Sequence, residues 1–96
     1  MFTNNNPDIL EEEITDVLEK TENTKAIVLY NDDHNTFQFV AESLIKVCGH
    51  DLLQAEQCTY LVHYTGKCAV KNGTFKELRP MCEALLERGL TAKIED

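Results

Sequence analysis

A short apolar run, Lys25–Tyr30, is the segment that most constrains the fold of this chain. It is rich in residues that pack on a pleated surface, so it predicts a β-strand. The run stops at Asn31, Asp32 and Asp33, where two adjacent carboxylates would cost solvation and add nothing to a core. These residues indicate either a strand-to-helix turn, because Asn and Asp bond their own backbone well, or a binding site at the end of the strand.

Three segments after this strand have helical periodicity, and each starts with a pair of residues at capping-box spacing. The pairs are Asn35 with Gln38, Asp51 with Gln54, and Thr74 with Glu77. Each pair precedes an apolar stripe, so three helices are predicted. Glycines at 49, 66 and 89 close them. Pro80 falls inside the third segment, and we expect that helix to bend there or to begin just before it.

Two further segments alternate between apolar and polar residues and predict strands. They are Lys67–Lys71, which leads into an expected turn at Asn72 and Gly73, and Leu90–Glu95. The order is therefore strand, helix, helix, strand, helix, strand. This order predicts an α+β domain with a three-stranded antiparallel sheet and helices packed on one face.

The length and the charge distribution indicate one domain with an acidic extension. Ninety-six residues, 43% of them hydrophobic, provide for one small core. Residues 1–24 carry a net charge of −6, whereas residues 25–96 carry −2. We predict a flexible acidic N-terminal extension over residues 1–24 and a folded core over residues 25–96.

Several partners and compartments are not expected from the composition. Lys and Arg are scattered singly, so no basic stripe is available for nucleic acid. No apolar stretch is long enough to span a bilayer, and the N-terminus does not resemble a secretion signal. The sequence therefore predicts a cytoplasmic protein that binds neither nucleic acid nor membranes.

The four cysteines do not have the spacing of a metal site or of a disulfide framework. Cys48, Cys58, Cys68 and Cys82 include no Cys-x-x-Cys pair. We expect them to be reduced and to act as small hydrophobic residues, without a metal or other cofactor.

Several short elements of the chain together resemble the ClpS family of adaptors for AAA+ Clp unfoldases. The matching elements are Val28–Asp33, Phe39-Val40, Ala55–Gln57, Val62-His63-Tyr64 and Gly66-Lys67. The resemblance extends over Lys25–Glu95, and the joint presence of Asn-Asp-Asp and Val-His at this separation makes it specific.

The resemblance implies a non-enzymatic, monomeric adaptor that binds N-degron proteins and delivers them to the N-terminal domain of a Clp unfoldase. An N-degron here is a free α-amino group followed by a bulky first side chain, namely Leu, Phe, Tyr or Trp. By the family's pattern, Asn31, Asp32 and His63 hold the α-amino group. The implied pocket residues are Leu29, Val40, Val62 and Leu90, with Asn35 at the floor, Phe37 and Thr59 at the mouth, and Asp33 contacting the peptide backbone.

This chain departs from the family's pattern at several positions. Many members have Met in place of Phe37 and Thr59, and Thr in place of Asn35. The segment between Lys67 and Leu90 is also shorter than in many relatives. The preference among Leu, Phe, Tyr and Trp and the contacts with the unfoldase therefore stay open.

Two other functions remain as alternatives. Asp32, Asp33, His34 and His63 carry carboxylate and imidazole groups that could bind a catalytic divalent metal and make the chain a hydrolase. Alternatively, the chain could be an interaction domain without N-degron specificity, of a fold similar to ribosomal stalk proteins. Outside the metal hypothesis, His34 and His50 are expected to be surface or turn residues.

Overall fold

The computed structural model of the protein describes residues 24–96. Its elements are β1 (Lys25–Tyr30), α1 (Phe37–Cys48), α2 (Leu52–Thr65), β2 (Lys67–Gly73), α3 (Phe75–Glu87) and β3 (Thr91–Glu95). The strands form one sheet in the order β2-β1-β3, and both pairings are antiparallel. The predicted element order and α+β fold with a three-stranded antiparallel sheet are thus confirmed. The predicted extension lies outside the described residues, except for Thr24.

One hydrophobic core joins the central strand to the helices. On β1, the alternate residues Ile27 and Leu29 are almost completely buried, as expected for a strand with one covered face. The other large residues that are fully buried come from the helices, and they are Leu44, Leu78 and Leu85. Within the described part of the chain, no helix combines the length and the apolarity needed to cross a membrane.

The first helix begins one residue later than predicted. Thr36 is its N-cap, and its Oγ1 accepts a hydrogen bond from the Phe39 N–H at 3.1 Å. The prediction of Asn35 as the cap was wrong, because the Asn35 side chain donates instead to Asp32 in the same loop and to the Gly89 carbonyl. The other two predicted caps, Asp51 and Thr74, are confirmed.

The second strand is longer than the sequence pattern indicated. Asn72 and Gly73 pair with Ala26 and Lys25 of β1, so the predicted turn at these two residues was wrong. Pairing with β1 extends the strand to the residue before the next N-cap. Helix α3 then starts at Phe75 and runs through Pro80 without interruption, which rules out a start just before the proline.

A β-bulge gives His50 a structural role that the sequence did not indicate. The register between β1 and β2 shifts so that Val70 has no partner opposite it, and a bulge of this kind interrupts the ladder of backbone hydrogen bonds. The Val70 carbonyl instead accepts a hydrogen bond of 2.6 Å from Nε2 of His50. His50 is only 5% exposed, so its prediction as a surface residue was wrong, although it does lie in the connection between α1 and α2.

The four cysteines are free thiols that contribute to packing. Cys48 and Cys82 are buried, and Cys58 and Cys68 are half-buried against the core. Burial raises the pKa of the Cys48 thiol to about 11. Since only the thiolate is strongly nucleophilic, Cys48 is in its unreactive form at neutral pH.

Candidate functional site

The loop between β1 and α1 is fastened to the end of α2. The backbone N–H of Asn31 donates to the carbonyl of Gly66 at 2.9 Å. Gly66 adopts the left-handed conformation that ends α2, and His63 lies in the last turn of that helix. This bond therefore brings Asn31 and His63, which are distant in sequence, to the same end of the molecule.

Asp32 holds the loop in a compact turn. Its Oδ1 accepts hydrogen bonds from the His34 N–H at 2.9 Å and from the Asn35 N–H at 3.1 Å. The Asn35 side chain donates to both carboxylate oxygens, and Thr91 Oγ1 lies 3.4 Å from Oδ2. Asp32 thus makes the strand-to-helix turn that was one of the two interpretations of this sequence, and most of its acceptor capacity is already used.

The same contacts keep Asp32 ionised. Partial burial by itself raises the pKa of this carboxyl, but the hydrogen bonds donated by His34 and Asn35 outweigh burial and lower the pKa below its ordinary value of 3.8. These donors stabilise the carboxylate because they bond most strongly to the charged form. Asp32 therefore places a negative charge at the end of β1 at neutral pH.

Asn35 connects the loop to the chain segment that leads into β3. Besides bonding Asp32, its Nδ2 donates to the Gly89 carbonyl at 3.0 Å. Gly89 has a φ of 90°, a conformation that other residues adopt only with strain. The bond fixes the position of the next residue, Leu90, whose buried side chain forms part of the wall described next.

The loop, both neighbouring helices and Leu90 enclose a cavity of about 460 Å³. All eleven predicted site residues line it, and they are Leu29, Asn31, Asp32, Asp33, Asn35, Phe37, Val40, Thr59, Val62, His63 and Leu90. Its buried apolar side chains are those of Leu29, Val62 and Leu90. Asn31, Asp33 and His63 are exposed, so polar groups that water can reach lie beside an apolar recess.

Thr59 presents a small side chain to this recess. It is 3% exposed, and its hydroxyl donates to the Ala55 carbonyl of its own helix at 2.7 Å. Because that donor is already used, the hydroxyl adds no open hydrogen-bond donor to the cavity. A threonine here leaves more room in the cavity than a longer methionine side chain would.

An aromatic rim borders the same cavity, and the sequence analysis identified only one of its members as a pocket residue. We define the rim as Phe37, Tyr60 and Tyr64, all of which line the cavity and are exposed. The Tyr60 ring lies 5.0 Å from Phe37 edge-on and 5.7 Å from Tyr64 in a stacked arrangement, measured between centroids. The i, i+4 spacing of the tyrosines, next to Thr59 and His63, was the available signal.

The alternative metal site does not form. Among residues 24–96, no group of three or more His, Cys, Asp or Glu side chains is placed to hold a metal ion. Asp32, Asp33 and His63 line the cavity, whereas His34 is exposed and its backbone N–H bonds Asp32.

Comparison with known proteins assigns the chain to a family. Residues 8–93 match the family model described as ATP-dependent Clp protease adaptor protein ClpS. A ClpS adapter protein of Thermosynechococcus vestitus is 34% identical over 86 residues, which covers 88% of this chain and 92% of that protein. One from a Nostoc species is also 34% identical over 86 residues, covering 88% and 89% of the two chains.

A solved structure shows the same fold. Agrobacterium tumefaciens ClpS2, bound to L-phenylalaninamide, superposes with a TM-score of 0.70 at 22% sequence identity. The match covers 76% of this chain and 95% of that one. Because the family model spans most of the sequence and the fold agrees, this chain belongs to the ClpS family of ATP-dependent Clp protease adaptors.

Proposed function

We propose that this adaptor binds proteins through a free α-amino group and a bulky hydrophobic first residue, Leu, Phe, Tyr or Trp, and delivers them to an AAA+ Clp unfoldase. One observation carries the proposal. A single cavity has Asn31, Asp32 and His63 on its polar side and the apolar side chains of Leu29 and Val62 within it. An N-terminal residue needs both kinds of surface, because it carries a charge and an apolar side chain on neighbouring atoms.

The polar side of the cavity suits an ammonium group. A free α-amino group has a reference pKa near 8, so at neutral pH it is mostly charged and has three donors to satisfy. The Asn31 amide oxygen and a neutral ring nitrogen of His63 are the proposed direct acceptors. Asp32, whose oxygens already accept several bonds, contributes its charge and a water-mediated contact. Each charge-assisted hydrogen bond contributes about 1.5–3 kcal/mol.

The apolar recess suits one large side chain. A volume of about 460 Å³ falls within the range of small-ligand pockets, and burying a Leu or Phe side chain contributes about 1.5–3 kcal/mol. The ligand of the related ClpS2, phenylalaninamide, combines an α-amino group, an aromatic side chain and an amide in the same way. After the cost of association, we expect micromolar affinity, about 8 kcal/mol.

Delivery to the unfoldase is proposed to involve the acidic extension. The family match begins at residue 8, so most of the extension lies within the matched region. We propose that peptide binding needs only the core, whereas transfer to the unfoldase also needs residues 1–22. Deleting these residues and measuring both activities would test this division, and equal loss of both would contradict it.

The direct test is a series of fluorescent peptides that differ only in their first residue, measured by anisotropy. We expect Leu, Phe, Tyr and Trp peptides to bind, and matched Gly or Asp peptides to bind far more weakly. Acetylation of the same Leu peptide removes the charge and two donors, so it should abolish binding. Binding that ignores the first residue and its acetylation would overturn the proposal and favour a general interaction domain.

A further inference from the structure

Two half-buried cysteines, Cys58 on α2 and Cys68 on β2, lie against each other, and the proposed function uses neither of them. Both are free thiols that pack against the hydrophobic core. Their side chains are hydrogen-bonded to each other. Neither residue lines the cavity, so this contact joins a helix to the sheet outside the binding site.

The fold turns both side chains toward the same layer of the core. Cys68 lies opposite Leu29 in the β1–β2 pairing, and residues directly opposite each other point to the same face of a sheet. Because Leu29 is buried under the helices, Cys68 also faces them. Cys58 lies one helical turn before the buried Val62, so it is on the side of α2 that faces the sheet.

The two thiols differ in their readiness to react. Burial, the nearby charge of an ionised Cys58 and the hydrogen bond with Cys58 together raise the pKa of the Cys68 thiol to about 11. Cys68 is therefore protonated at neutral pH, and the thiolate is the form of cysteine that attacks an oxidant. Cys58 is thus the thiol that reacts first, with Cys68 placed beside it as the second.

We propose that Cys58 and Cys68 are an oxidation site at which a peroxide produces a reversible disulfide within the adaptor. The Cys58 thiolate attacks one oxygen of hydrogen peroxide and breaks the O–O bond, which gives a sulfenic acid, and the released hydroxide takes the proton that Cys58 lost. The Cys68 sulfur then attacks the Cys58 sulfur, and the hydroxyl leaves as water with the Cys68 proton. Two thiols are thereby oxidised by two electrons, and one peroxide is reduced to two waters.

The disulfide would link a wall of the recess to the sheet. Helix α2 carries Thr59 and Val62, which line the cavity, and Cys58 directly precedes Thr59. Closing the connection between residues 58 and 68 restricts the unfolded chain. We therefore expect the oxidised protein to melt about 10 °C higher than the reduced protein. An equal or lower melting temperature would show that the native contact does not suit a disulfide and would overturn the proposal.

The direct test treats the full chain with hydrogen peroxide and then blocks the remaining thiols with iodoacetamide. Mass spectrometry should show that two of the four cysteines escape alkylation, and dithiothreitol should restore all four. Trypsin should then release residues 47–67 joined to residues 68–71, and fragmentation should place the bond at Cys58 and not at Cys48. Four free thiols, a different pairing or a bond between two molecules would each overturn the proposal.

Variants assign the order of the two steps. Cys58→Ser and Cys68→Ser should each prevent the disulfide, whereas Cys82→Ser, which changes a buried thiol of α3, should still form it. In Cys68→Ser the sulfenic acid of Cys58 should accumulate and react with dimedone, and Cys58→Ser should give no such product at Cys68. The reverse labelling pattern would overturn the assigned order. If a variant fails to fold, the peptide map of the wild-type protein still decides the pairing.

Discussion

The two walls of the cavity are built in opposite ways. On one side, the loop wall, residues 31–35, is fixed by hydrogen bonds to Gly66, Gly89 and its own backbone. On the other side, the rim is held by ring contacts and remains exposed. The loop wall is therefore already organised for a ligand before binding, which reduces the ordering cost of association, whereas the rim can adapt to different side chains. We infer that the loop wall determines whether a protein's N-terminus binds at all. The rim then modulates which N-terminal sequences bind most tightly.

The largest effect is expected from Asp32→Ala. This change removes the acceptor of the His34 and Asn35 hydrogen bonds and the negative charge that we propose attracts the ammonium. We expect the affinity for a Leu or Phe peptide to fall about 10- to 100-fold, since a charged contact contributes about 1.5–3 kcal/mol. Anisotropy gives the affinity, and circular dichroism checks that the domain stays folded. An unchanged affinity would mean that the loop wall does not bind the amine.

The next largest effect is expected from pH. A protonated imidazole has no free ring nitrogen to accept a hydrogen bond, so the affinity measured between about pH 8 and pH 5 reports whether His63 acts as an acceptor for the ammonium. Asp32 does not contribute to a loss in this range, because hydrogen bonds outweigh burial and lower its pKa below 3.8, so its charge is lost only in stronger acid. We expect the affinity for a Leu peptide to fall by up to about tenfold over this range.

Two variants test whether His63 causes this pH dependence. His63→Gln should give an affinity that is weaker and nearly constant with pH, whereas His34→Gln should retain the wild-type profile. His34 is a suitable control because it is exposed on the same loop and does not line the cavity. A flat profile in the wild-type protein would remove His63 as an acceptor.

A smaller effect is expected from narrowing the recess at Thr59. Thr59→Met places a longer side chain in the buried wall of the recess and takes up space that a large first side chain needs. In packed protein cores, extra volume of this kind costs about 1–3 kcal/mol of stability. We expect Trp and Tyr peptides to lose about fivefold or more in affinity and Leu peptides to lose less. Thr59→Val is the matched control, since the hydroxyl bonds only its own helix. Equal losses of affinity for the Leu and Trp peptides would mean that the first side chain does not bind in this recess.

The smallest effect is expected when a rim tyrosine is removed and the second residue of the peptide is Ala. Tyr64 is 73% exposed, and Tyr64→Ala should change the affinity for such a Leu-Ala peptide by less than about twofold, as for most surface substitutions. A large loss would mean that the rim contributes to binding of the amine, and the distinction between the two walls would disappear.

The fold was accessible from the sequence where local signals determine the structure. Asp51 and Thr74 cap their helices as predicted because the capping bond forms within one turn. Asn35 and Thr36 are both good capping residues, and the sequence could not show that the carbonyl of Gly89 competes for the Asn35 side chain. The same reason applies to Gly73, whose pairing with Lys25 depends on a strand far away in sequence.

The site was accessible only in part, for a related reason. The family resemblance indicated the loop wall and the recess, whose residues the fold brings to one cavity. It did not indicate Tyr60, because the contact of Tyr60 with Phe37 joins two helices. The role of His50 was missed because the bulge at Val70 that it stabilises depends on the register of two strands.

The bond from Asn31 to Gly66 and the bond from Asn35 to Gly89 mean that the cavity exists only when remote parts of the chain are assembled. A ligand that occupies it can therefore bind the native state and not the unfolded one, so cargo should raise the melting temperature. A ligand at about a hundred times its dissociation constant adds about 2.7 kcal/mol of stability. A loaded adaptor is thus expected to unfold less readily than an empty one.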